Sequence, residues 1–268
     1  MRTDSLQTGL PHQARTPLVQ WRLADPCWLE WARRAEAAVA GQRGSDVEVL
    51  KEARRRLIFR LRQGERSIVV KAFPMGGFRH QFLTHGRYGR AEACSLLEAC
   101  RRGLPVPGVY GLGLWRRWGF VRCTMVMMED LAPRRTVRDL LTLAGPDQAR
   151  CAAILDSTID LFVNLYLTGC KNIDVNAGSI LLTDDLSDLR VIDFQYTRFL
   201  DHPSPKALTL QAARFTMTCS KWHEGLPLEP WVCSVLARAG VRHRGRWLNV
   251  WRGFHARYVS RWQRMTIY

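Results

Sequence analysis

The stretch KNIDVNAGSILLTDDLSDLRVIDFQYTRF, residues 171–199, decides the fold of this chain. Its apolar segments 180–182 and 189–192 flank a segment rich in turn formers, a pattern that predicts a β-hairpin. Asp174 precedes the loop that enters the first segment, and Asp193 ends the second. Two carboxylates at the ends of short strands suit phosphoryl transfer, because one accepts the proton of an attacking hydroxyl while the other holds Mg²⁺. The alternative is an ordinary hairpin whose turn acids are solvated.

The order of these residues resembles the protein-kinase-like fold. Asp174, with the polar Ser179 five positions later, then Asp193-Phe194, is similar to its catalytic loop and metal-binding Asp-Phe-Gly. More narrowly, the stretch resembles the bacterial lipopolysaccharide kinases, which phosphorylate heptose or Kdo in the lipopolysaccharide core. Their loops read roughly D-L-x-x-x-N-I-L-L, followed later by I-D-F. The resemblance implies that Asp174 accepts the proton of the sugar hydroxyl or orients it, and that Asp193 and Ser179 bind Mg²⁺.

Two positions depart from the family pattern. Ser179 stands where the family has Asn as a second metal ligand, so weaker metal binding is expected, although a hydroxyl is a hard oxygen donor. Asn172 stands where kinases carry His two residues before the acid. That residue braces the loop, and Asn is able to do the same by hydrogen bonding. Together the departures leave open a catalytically degenerate pseudokinase.

One lysine interrupts a strongly apolar run. Lys71 lies in the predicted strand 67–73, where an ammonium group is costly to bury unless it is paired. The kinase resemblance implies that this is the lysine that contacts the α- and β-phosphates of ATP. The alternative is an edge-strand lysine whose stem is covered while its ammonium reaches water.

The expected partner of that lysine is Glu92. It lies in the first turn of a helix predicted over residues 91–102, which stops at Gly103. An acid suits the helix dipole there whatever its function. An early acid, then two leucines, then Gly-Leu-Pro-Val-Pro is typical of the lipopolysaccharide kinases. The resemblance therefore implies that Glu92 pairs with Lys71. This second match to the family lies far from the catalytic loop along the sequence.

The N-terminal half reads as an antiparallel sheet. Five strands are predicted, over residues 47–50, 57–61, 67–73, 109–113 and 119–128. The segment 129–131 follows as the hinge whose backbone meets adenine in the kinase interpretation, which places Glu129 in the cofactor site. Kinases carry a glycine-rich loop between the first two strands, whereas this chain has the turn 51–56, KEARRR. Its arginines either hold phosphate by charge or form a solvated basic turn.

The remaining segments complete the predicted organisation. Residues 1–25 read as a flexible tail, and Asp25 and Pro26 start a helix that runs to Val39. The basic, glycine-punctuated segment 74–90 is expected to meet acceptor or membrane, or to be a surface linker. Further helices are predicted over residues 147–167 and 246–265. The last of these interleaves aromatic residues with arginines, which indicates either a closing core helix or membrane-surface contact.

The predicted fold class is α+β, a two-lobed protein-kinase-like fold. An N-lobe over residues 26–130 has a small antiparallel sheet and one key helix, and a mainly helical C-lobe spans residues 131–268. In this fold we expect the side chains of Lys71, Glu92 and the two aspartates to meet in one cleft between the lobes.

Composition bounds the class of protein. The chain has 268 residues, 47% of them apolar, and a formal net charge of +16. No apolar run approaches the roughly 20 residues needed to span a bilayer, and the first residues lack the apolar core of a secretory signal, so the protein is expected to be cytoplasmic. The eight cysteines include no C-x-x-C pair, which favours reduced thiols over a zinc site or disulfides.

The resemblance predicts an ATP- and Mg²⁺-dependent kinase of a lipopolysaccharide core sugar at the cytoplasmic face of the inner membrane. Its expected partners are the core oligosaccharide or lipid A-core acceptor, with possible peripheral contact with the anionic inner membrane. A nucleotide-binding or scaffolding pseudokinase is the first alternative. A nucleic-acid-binding protein, suggested by charge alone, ranks last because no nucleic-acid motif occurs, and no nucleic-acid partner is expected.

Overall fold

The computed structural model describes residues 9–75 and 87–256. The chain divides into two compact units. The first comprises Met1–Arg101 and Pro107–Asp130, and the second comprises Arg102–Val106 and Leu131–Tyr268.

The first unit is built on a seven-stranded antiparallel sheet. Its strands are β1 (His12–Arg15), β2 (Val19–Leu23), β3 (Val47–Ala53), β4 (Arg56–Gln63), β5 (Arg66–Pro74), β6 (Val109–Arg117) and β7 (Phe120–Glu129), in the spatial order β1-β2-β6-β7-β5-β4-β3. Within the described residues, this unit also contains helix α1 (Leu29–Val39), which follows the 3-10 turn Pro26–Trp28, and helix α2 (Arg87–Arg101). All five strands predicted from sequence are present.

Alternation of apolar and polar residues builds this sheet. Along β4, Leu57, Phe59 and Leu61 are buried, whereas the residues between them are partly exposed. Helix α1 covers the same face with Trp31 and Ala35. Asp25 caps the 3-10 turn through a bond from the Cys27 N–H (2.8 Å), so the predicted helix start is confirmed.

The sequence predicts a flexible tail over residues 1–25, and the structure corrects this prediction for residues 12–23, whereas residues 1–8 lie outside the described residues. Residues 12–15 and 19–23 form β1 and β2, and Val19, Trp21 and Leu23 are buried in the core of the first unit. The alternation in Val-Gln-Trp-Arg-Leu places every second residue on the core face. The sheet therefore has seven strands where the sequence predicts five.

The second unit is mainly helical. Its helices are α3 (Val137–Ala144), α4 (Gln148–Asp156), α5 (Ile159–Leu167), α6 (Pro205–Cys219), α7 (Leu228–Arg238) and α8 (Arg244–His255). Short strands β8 (Arg135–Thr136), β9 (Cys170–Asn172), β10 (Ile180–Leu182), β11 (Leu189–Val191) and β12 (Thr197–Phe199) form two small sheets, β11-β10-β8 and β12-β9. The hairpin predicted from the opening stretch is β10–β11, in which Ile180 pairs with Val191.

Three aromatic rings form the centre of the second unit. The Phe162 and Trp231 rings meet edge to face with centroids 4.9 Å apart, and Phe215 lies 5.1 Å from each of them. The Trp231 indole donates to the Leu155 carbonyl (2.8 Å), so its polar group is satisfied inside the core. These contacts join α5, α6 and α7 and support the small sheets.

The helix predicted over residues 147–167 is two helices, α4 and α5. The hydroxyls of Ser157 and Thr158 donate to the carbonyls of Ile154 and Leu155 (2.8 and 2.6 Å). Hydroxyls that bond nearby backbone carbonyls compete with the helical ladder, which accounts for the break. The predicted final helix is present as α8, but its later aromatic residues, Tyr258 and Trp262, lie outside the described residues, as do residues 76–86 of the basic segment.

Five cysteines are buried, and the exposed ones are Cys27, Cys100 and Cys233; all eight are free thiols. Burial raises the pKa of Cys123 to about 12. Within the described part of the chain, no helix is long and apolar enough to cross a membrane.

Candidate active site

Lys71 and Glu92 form a buried ion pair in the first unit. The ammonium lies 2.6 Å from Glu92 Oε1, and the two side chains are only 5% and 1% exposed. Lys71 is in β5, which has β4 on one side and β7 on the other, so it is not an edge-strand residue. A lysine and a glutamate this deeply buried are tolerated only because each one compensates the charge of the other.

Helix α2 is held against the sheet at a glycine. The Gly89 N–H donates to Thr124 Oγ1 of β7 (3.1 Å), and a Cβ at Gly89 would lie 2.7 Å from that oxygen. Thr124 is opposite Phe73, two residues beyond Lys71 along β5. This close approach fixes α2 three residues before Glu92, and so it sets the position of the carboxylate against the lysine.

In the second unit, one amide links the two segments that carry the acids. Asn172 Oδ1 accepts the Asp174 N–H (2.9 Å), and Asn172 Nδ2 donates to the Asp193 carbonyl (3.3 Å). Asn172 and Asp174 are both buried. Asn172 is also opposite Thr197 in the pairing of β9 with β12. The start of the loop is therefore joined to the Asp193 segment by a side-chain hydrogen bond and by strand pairing.

The Ser179 hydroxyl is engaged within its own loop. It accepts the Asn176 N–H (2.8 Å) and donates to the Asn176 carbonyl (2.9 Å), and the residue has no exposed surface. Its carbonyl accepts the Ile192 N–H (2.8 Å), which ties the loop to the residue before Asp193. The serine therefore closes a tight turn, and only one lone pair of its oxygen remains for a metal.

Asn176 and two residues outside the loop complete its support. Asn176 Oδ1 accepts the Gly178 N–H (2.8 Å) and Nδ2 donates to the Asp174 carbonyl (2.5 Å). The Ala177 N–H donates to Thr218 Oγ1 of α6 (3.0 Å), and the Ala177 carbonyl accepts the Arg138 N–H at the start of α3 (2.9 Å). The loop after Asp174 is thus fixed from both helices, which is what a positioning loop needs.

Asp193 has a left-handed backbone conformation, with φ 66°. Aspartate tolerates this region better than most residues, but the conformation is still uncommon. The next residue, Phe194, is fully buried. Buried Phe194 on one side and the Asn172 bond on the other hold Asp193 in a conformation that points to a functional constraint.

The segment predicted as a hinge is anchored through its acids. The Gly108 N–H donates to Glu129 Oε2 (3.1 Å), and the Glu129 N–H donates to the Gly108 carbonyl (2.9 Å). Asp130 accepts from Arg60 Nε (2.5 Å) and Ser67 Oγ (2.7 Å). The hydrogen bond to Asp130 raises the pKa of the Arg60 guanidinium. The Glu129 side chain thus holds the turn before β6.

The structure brings the predicted residues together in two groups. Lys71 and Glu92 are in contact within the first unit, and Asn172 connects the Asp174 and Asp193 segments within the second. Carboxylate oxygens are the donors that Mg²⁺ prefers, so the chemistry of this pair of acids fits the ion. Among the described residues, no three His, Cys, Asp or Glu side chains cluster as a metal site.

Sequence reasoning missed several supporting residues. Gly89 lies in the segment 74–90, just before the predicted helix, which the structure shows to begin already at Arg87. A glycine at such a position is a signal of close backbone approach, and Thr124 is a polar residue within a buried apolar strand. Thr218 and Arg138 carry no such signal, because their contacts with Ala177 join segments distant in sequence.

No protein-family model and no curated protein matches the chain. Among solved structures, it is similar to WaaP in complex with acyl carrier protein, with a TM-score of 0.62 and 16% sequence identity. The match covers 92% of this chain and 97% of that one. At this identity the likeness establishes the fold, and it confirms the predicted fold class. The chain has the protein-kinase-like fold of WaaP, with an antiparallel sheet in its N-terminal part and helices in its C-terminal part.

Proposed function

We propose that the protein is an ATP- and Mg²⁺-dependent phosphotransferase that acts on a sugar hydroxyl of the lipopolysaccharide core. The observation that carries the proposal is the buried Lys71–Glu92 pair, 2.6 Å long, on a kinase-like fold. The chain shares its fold with WaaP, and the resemblance of residues 174–194 to the lipopolysaccharide kinases supports this acceptor class. The proposed place of action is the cytoplasmic face of the inner membrane.

Each residue has a proposed role. Lys71, positioned by Glu92, neutralises phosphate charge, and Asp174 accepts the proton of the sugar hydroxyl or orients it. Asp193 would hold Mg²⁺, whose charge would offset the negative charge of the nucleotide phosphates. The backbone around Glu129 meets the adenine. Ser179, the predicted second ligand, is more consistent with shaping the loop, since both its donor and an acceptor site bond Asn176.

A transfer assay tests the assignment. Purified protein with γ-labelled ATP and core oligosaccharide is expected to label the sugar, and Asp193→Asn is expected to abolish labelling. Asparagine tolerates the left-handed backbone at this position, so the variant removes charge without new strain. Failure to label any core acceptor would contradict the proposal.

The ion pair allows a second test that separates function from folding. Lys71→Ala leaves Glu92 as an uncompensated buried charge, so we expect a loss of about 3–5 kcal/mol in unfolding free energy. The double variant Lys71→Met with Glu92→Leu removes both charges and is expected to regain most of that stability. Thermal-shift titration with ATP and Mg²⁺ should stabilise the wild type and leave the double variant unchanged. Equal stabilisation of both proteins would exclude Lys71 from the nucleotide site.

A pseudokinase is the second candidate, because the buried, engaged Ser179 hydroxyl weakens the expected metal site. It predicts nucleotide binding without turnover, unaffected by Asp174→Ala. In either case, the WaaP structure, which contains acyl carrier protein, makes such a carrier a candidate partner for this chain.

A further inference from the structure

Three turns lie at one end of the seven-stranded sheet. They join β1 to β2, β3 to β4 and β6 to β7. The register of the sheet shows that these turns share one end. Val19 of β2 is opposite Trp115 of β6, and Cys123 of β7 is opposite both Trp115 and Pro74 of β5. Strand β4 begins at Arg56, beside this end of β5. We call residues 15–18, 54–56 and 116–120 the basic end.

The basic end is charged with one sign. It contains Arg15, Arg54, Arg55, Arg56, Arg116 and Arg117 and neither Asp nor Glu. All but Arg56 are exposed. Across residues 9–75 and 87–256, none of the exposed five forms an ion pair with a carboxylate, whereas Arg60 and Arg62 further along β4 both pair with Glu48. Carboxylates of the described residues therefore do not neutralise the positive charge of these five arginines.

A tryptophan projects from the centre of this end. Trp118 is 78% exposed at the tip of the β6–β7 hairpin and has φ 50°, followed by Gly119 with φ 78°. Positive φ at both central residues is the backbone of a tight two-residue hairpin turn, and a residue as bulky as tryptophan is uncommon there. The Arg117 guanidinium lies 4.6 Å from the Trp118 ring, and Arg116 Nη1 donates to the Gly119 carbonyl (3.3 Å). Leu18 and Phe120 add exposed apolar surface, 42% and 41%.

We propose that the basic end docks on an anionic lipid bilayer, with Trp118 inserted at the level of the headgroups. Tryptophan is the side chain enriched at membrane–water interfaces, and arginines near an anionic leaflet are attracted to it. A projecting indole with flanking arginines suits a flat, yielding surface better than nucleic acid, which is bound by aromatic platforms that line a groove. The inference deepens the proposed function, because a lipid-linked acceptor is presented at such a surface, but its test needs no catalysis.

Co-sedimentation of the full chain with vesicles tests the proposal. Binding is expected with phosphatidylcholine vesicles that contain phosphatidylglycerol, and not with phosphatidylcholine alone. Trp118→Ala should weaken vesicle binding roughly tenfold, because the substitution removes the free energy gained by partly burying a large apolar side chain in the bilayer. Trp222→Ala is the matched control, because Trp222 is also exposed (53%) and also has an arginine, Arg138, over its ring (5.4 Å). Equal effects of the two substitutions would overturn the proposal.

Charge variants separate docking from bulk attraction. The double variant Arg116→Gln, Arg117→Gln should weaken vesicle binding about 30-fold. Each arginine near the membrane surface contributes about 1 kcal/mol, and about 1.4 kcal/mol corresponds to a factor of ten in affinity. Arg244→Gln with Arg246→Gln removes the same charge from exposed positions elsewhere and should change it little. Equal losses of vesicle affinity in the two double variants would overturn the proposal. A Trp118→Ala substitution that weakens binding to RNA but not binding to vesicles would also overturn it. Labelling of a soluble core oligosaccharide should be unchanged by Trp118→Ala, so failure of docking is distinguishable from failure of the kinase assignment.

Discussion

Asn172 shows how much one side chain contributes to the second unit. An amide carries both an acceptor and donors, so it bonds the N–H at Asp174 and the carbonyl at Asp193 at once. The sequence predicts that Asn172 braces its loop in place of histidine, and the first bond does so. The second partner is 21 residues away along the chain, and no local pattern indicates it.

Ser179→Ala tests whether that hydroxyl shapes the loop or binds metal. The substitution leaves the Asn176 N–H without its acceptor inside the protein, so we expect a loss of about 1–3 kcal/mol in unfolding free energy. The measurement is urea unfolding without metal or nucleotide. Ser187→Ala is the control, since Ser187 bonds Asp185 in an exposed turn and a change within about 0.5 kcal/mol is expected. Unchanged stability with lost Mg²⁺-dependent nucleotide binding would instead identify Ser179 as a metal ligand.

At the level of elements, the sequence predicts strands well where several apolar residues recur together. The runs that became β5 and β7 are apolar over most of their length and were identified. Strands β1 and β2 were missed because β2 offers only Val19, Trp21 and Leu23 in alternation, within a polar segment that contains proline. Their pairing with β6 supplies the stability that composition does not reveal. The pattern over residues 147–167 is amphipathic throughout and predicts one helix. The structure has two, because the hydroxyls of Ser157 and Thr158 donate to backbone carbonyls three residues earlier.

Gly89→Ala tests how α2 positions its carboxylate. A Cβ at this position would lie 2.7 Å from Thr124 Oγ1 and 2.8 Å from Thr124 Cβ. The helix must therefore shift, at a cost of about 1–3 kcal/mol, and Glu92 moves with it. We expect a lower unfolding free energy together with weaker ATP binding, measured by urea unfolding and by thermal shift.

Gly253→Ala in α8 is the matched control for that change. Apart from its chain neighbours and the backbone of its own helix, no atom of the described residues lies within 4 Å of a Cβ at Gly253, so the gain in helix propensity should stabilise the protein by up to about 1 kcal/mol. ATP binding should not change. If Gly89→Ala behaves as this control does, the close approach of α2 to β7 does not position Glu92.

At the scale of the whole molecule, the chain passes between its two units more than once. The sequence predicts a boundary near residue 130 from the change between strands and helices, and the first unit ends at Asp130. The short segment Arg102–Val106 belongs to the second unit, although it directly follows α2. Its contacts explain this: the Val191 N–H donates to the Pro105 carbonyl (2.8 Å), and Arg102 donates to the Thr168 carbonyl (2.6 Å). Sequence patterns do not reveal such an assignment, because it depends on partners far along the chain.

This connectivity predicts that residues 131–268 alone form an incomplete unit. Without residues 102–106, strand β11 loses the carbonyl that pairs with Val191, and the Phe199 ring loses the Arg102 guanidinium that lies 4.7 Å from it. We expect the fragment to unfold at lower urea concentration than the same fragment with residues 102–106 joined to residue 131 by a flexible glycine-serine linker. A linker that carries the same five residues in scrambled order controls for length and composition. Circular dichroism during urea unfolding is the measurement, and identical midpoints for the three proteins would show that the segment contributes nothing to the folding of the second unit.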